Sequence, residues 1–315
     1  MSPPPAIRTE RLGKTYLSGF LRRPFVGLSD LTLEVPEGIT FGFVGPNGAG
    51  KTTTIKTLMG LQAPTEGQAW LFGTPIADPQ SRASLGFMPE RPYFYEHLTA
   101  WEFMEFYARL SGVPSGEREA RISSLLERVE LSRFRNVALR KFSKGMLQRA
   151  GIAQALVGNP RLVVLDEPMS GLDPLGRVLV RDIILAERRA GRTVFFSSHI
   201  LSDVEQLSDR VAIVVGGKLR EEGKMADLVG NAALSVDITF TGAADLPGAE
   251  LLREEGNRRT VRVPPAEVDD ACRSILSGGG SVLSVHRNVP SLESVLLDEV
   301  ERARTVKEKQ LGVLA

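Results

Sequence analysis

"GITFGFVGPNGAGKTTTIKTLMG", Gly38 to Gly60, decides the fold. Residues 38–45 form an apolar run rich in β-formers, which predicts a buried strand. That run ends in a glycine-rich loop, and "KTTTIKTLMG" reads as the helix that follows. The loop residues Gly45, Pro46, Asn47, Gly48, Ala49, Gly50, Lys51, Thr52 and Thr53 fit G-x-x-x-x-G-K-[ST], in the strand–helix context that motif requires. Glycines there let successive N–H groups curl around phosphate oxygens without a side-chain clash. Lys51 is expected to reach the β- and γ-phosphates of a triphosphate, and the Thr52 hydroxyl to take a place on Mg²⁺.

Further buried strands follow in "RLVVLDEP" (161–168), "RTVFFSSH" (192–199) and "RVAIVVGG" (210–217), with the helical "GRVLVRDIILAERRAG" (176–191) between the first two. Strands of unbroken apolar residues alternating with helices predict a mostly parallel sheet covered on both faces. Asp166 closes one such strand and is placed to hold Mg²⁺; Glu167 follows directly and is placed to polarise water on the far side of the γ-phosphate. His199 ends another strand on the same expected edge, where ligands of parallel sheets collect, and is read as a γ-phosphate contact. A long helix-rich insertion, about residues 89–159, separates the first two core strands. "LTAWEFMEFYARLSG" (98–112) and "EREARISSLLERVEL" (117–131) inside it show helical spacing.

Composition sets the limits. Over 315 residues, 42% hydrophobic and 24% charged side chains describe an ordinary globular chain, and a net charge of +1 gives no footprint for nucleic-acid binding. Cys272 is the only cysteine, which excludes an intrachain disulfide or cysteine metal cluster. No apolar run reaches the ~18–20 residues that cross a bilayer, and "MSPPPAIRTE" lacks a signal-peptide core, so a cytoplasmic location is expected. Composition shifts near residues 225–231. Beyond lie "AALSVDITF", "RRTVRV", "AEVDDACRSILSGGG", "SVLSVHR" and "SLESVLLDEV", read as a small α+β appendage in which His286 is isolated and structural.

Taken together, these motifs resemble the nucleotide-binding subunit of an ATP-binding cassette (ABC) transporter over about residues 7–223. The P-loop, "LVVLDEP", "SGLD" (Ser170–Asp173) and "SSH" stand in the family's order, with "FSKGM" (Phe142–Met146) in the place of its signature. The resemblance implies an α/β P-loop NTPase core with a mostly parallel sheet, an antiparallel β part and an inserted helical subdomain, over residues 6–226, plus a small C-terminal α+β domain over 231–315. It implies hydrolysis of ATP with Mg²⁺, adenine stacking by Tyr16, and a dimer of cassettes, homo- or heteromeric, packed head to tail. In that arrangement Ser143, Lys144 and Gly145 of one chain, with Asp173, complete the site of the other. It also implies integral membrane permease subunits as separate polypeptides, with this chain peripheral on the inner face of the cell membrane.

The region from Glu90 resembles the groove that receives a permease's coupling helix, where Trp101, Phe103 and Phe106 are either groove residues or core aromatics. Two departures stand out. Phe142, Lys144 and Met146 replace the first, third and fifth residues of Leu-Ser-Gly-Gly-Gln, leaving Gln148 to assume part of the missing amide's role. Glu90 takes the position of the family's glutamine, a carboxylate able to ligate Mg²⁺ but repelled by phosphate. The appendage and these variants look most like single-cassette subunits of bacterial export systems. A soluble ABC ATPase of DNA repair or translation is the other class, but one P-loop and no sustained heptads argue against it. A degenerate cassette would lack some of Lys51, Asp166, Glu167 and His199, and all are present.

Overall fold

A computed structural model describes residues 3–18, 23–91, 94–230, 235–242, 244, 246–288 and 291–312. The chain separates into two compact units: one runs up to Met225 and takes in the run from Asp298, and the other is Ala226–Leu297.

The first unit contains two sheets. The antiparallel one, in the order β2-β1-β4-β5, comprises β1 (Ile7–Ser18), β2 (Arg23–Val35), β4 (Glu66–Leu71) and β5 (Thr74–Pro75). The other, in the order β10-β9-β3-β8-β7-β6, comprises β3 (Thr40–Val44), β6 (Leu85–Met88), β7 (Leu162–Asp166), β8 (Thr193–Ser198), β9 (Arg210–Val215) and β10 (Lys218–Lys224). All its neighbours pair in parallel except β9 and β10. Every residue of β3, β7 and β8 is buried, as continuous apolar strands under two covering layers must be. Phe41 on β3 faces Phe195 on β8 in register, and their rings stack at 5.8 Å. The parallel register brings the carboxyl ends of β3, β7 and β8 to one edge, delivering the P-loop, Asp166 and His199 together.

Four helices belong with these sheets' core: α1 (Lys51–Leu58), α4 (Lys144–Leu156), α5 (Pro174–Arg189) and α6 (Leu201–Leu207); α7 (Met225–Gly230) starts at the boundary between the units. α2 (Ala100–Leu110) and α3 (Ser115–Arg128) pack on each other and on α4 as the helical insertion. Thr99 and Glu102 cap α2 reciprocally, each side chain satisfying the other's backbone N–H. The insertion follows the edge strand β6, so it is entered from the side of the sheet and not directly from β3. β6 has only four residues and alternating burial, and so gave no long apolar run to announce it. Among the described residues, no helix is long and apolar enough to cross a membrane.

In the second unit, β11 (Ser235–Thr241), β12 (Glu250–Glu255), β13 (Arg258–Val263) and β14 (Ser281–Asn288) form an antiparallel sheet ordered β12-β13-β11-β14. Val236, Ile238, Phe240, Val261 and Val263 meet Ala271 and Ile275 of α8 (Val268–Ser277) in its core. β12 is exposed throughout, and its two leucines are adjacent among four charged residues, which hid it from any reading by apolar periodicity. α9 (Leu292–Gly312) ends the described chain. Asn231, the expected start of the appendage, and residues 232–234 lie outside the described residues.

Candidate active site

The P-loop turns because two of its glycines adopt φ values other residues avoid. Gly48 sits at φ +79, and Gly50 at φ +102, where a Cβ would stand 2.5 Å from the Gly27 carbonyl. Gly50 is also the N-cap of α1 and brings no capping side chain, so the first-turn N–H groups are left for a ligand. Lys51 is folded back over the loop, donating to the Gly45 carbonyl at 2.7 Å and lying 3.5 Å from Glu167 Oε1. Residues Asn47–Thr53, with Phe25, Gly27, Glu90, Glu167, Ser170 and His199, line a cleft of about 430 Å³.

Three further side chains are locked together behind it. Ser197, at the end of β8, donates to Asp166 Oδ1 at 2.6 Å and accepts from the Glu167 N–H at 2.9 Å. Asp166 is only 2% exposed, and burial pushes its carboxyl above the ordinary carboxylate range. Hydrogen bonds from Ser197 and Thr52 oppose that shift, while the charges of Glu90 and Glu167 add to it. Glu167 itself sits at φ +53, and its Oε2 lies 2.7 Å from His199 Nδ1. Lysine, glutamate and imidazole thus meet on the cleft wall.

The signature residues lie elsewhere. Ser143 caps α4 by accepting from the Met146 N–H at 3.2 Å, and Asp173 caps α5 by accepting from the Gly176 N–H at 2.7 Å. Ser143, Lys144, Gly145 and Asp173 line a second hollow, of about 740 Å³, that shares no residue with the cleft. Consecutive residues divide the two, Ser170 facing the cleft and Gly171 the hollow.

This arrangement has relatives. An uncharacterized ABC transporter ATP-binding protein of Nostoc sp. is 39% identical over 312 residues, covering 96% of this chain and 92% of its own length. The chain belongs to the ABC transporter ATP-binding proteins. The family described as ABC transporter matches residues 28–170. A Synechocystis ABC transporter ATP-binding protein is 46% identical over 228 residues, 71% of this chain and 64% of that relative's length. The bacitracin transport ATP-binding protein of Bacillus licheniformis is 44% identical over 220 residues, 69% of each chain. Among solved structures, the dimeric ATP-binding cassette MJ0796 in a post-hydrolysis state with ADP and Pi superposes with a TM-score of 0.65 at 26% identity, over 70% of this chain and 98% of that one.

Several expected residues of the cassette stand differently from their sequence reading. Tyr16 donates to Gln62 Oε1 at 2.9 Å, and its ring packs where a Cβ on Gly27 would be, while Phe25, its cross-strand partner, lines the cleft at 58% exposure. Phe25 escaped the sequence reading because it faces the cleft only through pairing across a hairpin. Gln148 is 2% exposed and donates to the carbonyls of Glu167 and Pro168, both at 3.1 Å. It therefore points into the protein and does not replace the signature amide. Of the three α2 aromatics, Phe103 is wholly buried and is core, not groove; Phe106 is partly exposed against Tyr95, and Trp101 lies under Arg135 at 4.1 Å. His286 pairs in register with Asp237 on the C-terminal sheet.

Proposed function

We propose that this chain is the ATP-hydrolysing subunit of an export system whose membrane-spanning permease subunits are separate polypeptides, docked from the cytoplasmic side. The observation that carries the reading is the meeting of Lys51, Glu167 and His199 in one cleft above the Asp166–Ser197 pair, with the signature residues on a separate hollow. The relative named for bacitracin transport favours a transport role over a soluble one.

The residues fit Mg²⁺–ATP. Uncapped first-turn N–H groups and Lys51 suit phosphates, and the crowding of Asp166 by two other carboxylates suits a divalent cation. Thr52 and Asp166 would hold Mg²⁺, which supplies charge neutralisation at the phosphates. Glu90, whose charge acts on Asp166 and which lines the same cleft, is the further candidate ligand. Lys51 exchanges its Gly45 and Glu167 contacts for phosphate oxygens. Glu167 then takes the proton from an attacking water, and His199, bonded to its other oxygen, fixes the carboxylate's direction. The adenine rests on Phe25, which lines the cleft and pairs across the strands with Tyr16. Two cassettes, alike or different, close head to tail so that Ser143, Lys144 and Gly145 of one reach the phosphates held by the other. The second unit, Ala226–Leu297, is an accessory domain that assists docking or dimerisation.

Glu167→Gln tests the assignment. The amide keeps the shape and loses the base, so ATP binding persists, hydrolysis falls by about 10²–10⁴-fold, and an ATP-dependent dimer accumulates on size exclusion. Near wild-type turnover would remove Glu167 from its role.

A further inference from the structure

Away from the nucleotide cleft, three arginines from distant parts of the chain gather around a hollow of about 510 Å³. Arg121 and Arg128 stand two turns apart on one face of α3, and Arg192 immediately precedes β8. Their acidic partners are few. Glu187 of α5, itself 2% exposed, forms ion pairs with both Arg128 and Arg192. Glu117, an acid on the hollow's lining, is exposed. Arg121 donates to the backbone carbonyls of Val157 and Leu156, the latter at 3.1 Å, and Arg192 donates to Asn159 Oδ1 at 2.6 Å.

A purely structural network explains the carbonyl contacts and the Glu187 pairs. It leaves the third guanidinium, Arg121, at the same open hollow with the exposed Glu117 as its countercharge. Partial burial lowers the affinity of all three guanidinium groups for their protons; Arg192 feels Arg128 and Arg121 in addition, while on Arg121 the charge of Glu117 opposes the shift and that of Arg128 adds to it. Like charges held together in a partly dry recess repel unless an anion joins them. Guanidinium forks are the side chains best shaped to grip a tetrahedral oxyanion, and these are recessed but reachable, with Arg128 and Arg192 side chains 36% and 22% exposed.

We infer that this hollow binds a small phosphate-bearing anion of diphosphate size, which fastens α3 of the helical insertion to the turn between α5 and β8. Bound there, the anion bridges α3 and the start of β8, which Glu187 also links through its ion pairs with Arg128 and Arg192.

Calorimetric titration of the full chain with inorganic pyrophosphate, without Mg²⁺, tests this. Two sites are expected in the wild type, the P-loop and the hollow. Lys51→Ala should keep the hollow's site. Ser124→Glu places a carboxylate at an exposed position on the hollow's wall and leaves the ion pairs in place; it should weaken that site by about tenfold or more while sparing the P-loop, as should Arg121→Gln. In the Lys51→Ala protein, displacement of pyrophosphate by ADP assigns the diphosphate to a nucleotide, and its persistence assigns it to the free ion. A single site abolished by Lys51→Ala, or a second site indifferent to Ser124→Glu, would overturn the inference.

Discussion

Asp166 is held in a buried place with Ser197 donating to it and the charges of Glu90 and Glu167 acting against it, so its own charge is costly to keep. Its folded-state carboxyl takes up a proton more readily than the ordinary one at 3.8. Above the raised value the ionised group opposes folding; as pH falls through that value the folded state gains a proton first, and stability rises. Asp166→Asn should therefore unfold at a higher temperature than the wild type near neutral pH, with the gap closing on acidification, while Mg²⁺-dependent hydrolysis is lost. Thermal unfolding of the nucleotide-free proteins across pH measures it, and a gap independent of pH would assign the cost to something other than this charge. The chemistry at this scale was legible because it is local: Lys51, Thr52, Asp166 and Glu167 lie in short strings whose strand and loop context declares itself. Phe25 was not, since its exposure to the cleft depends on which residue of β1 it faces.

Gln148 shows what an element contributes beyond its first turn. Its amide, on the second turn of α4, satisfies two carbonyls in the segment that positions Glu167, whose backbone at φ +53 needs outside support. Gln148→Leu leaves both carbonyls without that donor, a loss of about 1–3 kcal/mol in stability. Because the disturbed segment carries the base and not the phosphate cradle, kcat should fall while ATP affinity holds. Equal losses in both would mean that α4 supports the P-loop as well. The helix itself was readable from Ser143 and the spacing behind it, but Gln148 looked like part of the signature because sequence gives adjacency, not direction. The same blindness covers the arginine hollow, which exists only once α3 lies beside the start of β8.

For the whole molecule, the test is whether the cleft and the signature hollow belong to different composite sites. Consider dimers carrying Lys51→Ala and Ser143→Arg. With both lesions in one chain, head-to-tail packing leaves no intact site; with one in each chain, both fall on a single site and the other stays whole. One occluded ATP per dimer is expected only for the second design, counted after rapid filtration. The reverse pattern would mean that each signature serves its own P-loop.

The division of these two surfaces between consecutive residues, Ser170 and Gly171, has a consequence for a chain that has lost its companion. With cassettes closing head to tail as proposed, such a chain holds one half of each of two catalytic centres and completes neither. Its turnover per molecule is then set by how often it meets another copy. Cassettes made in excess, or released from a dismantled assembly, fall silent on dilution without any inhibitor having to find them.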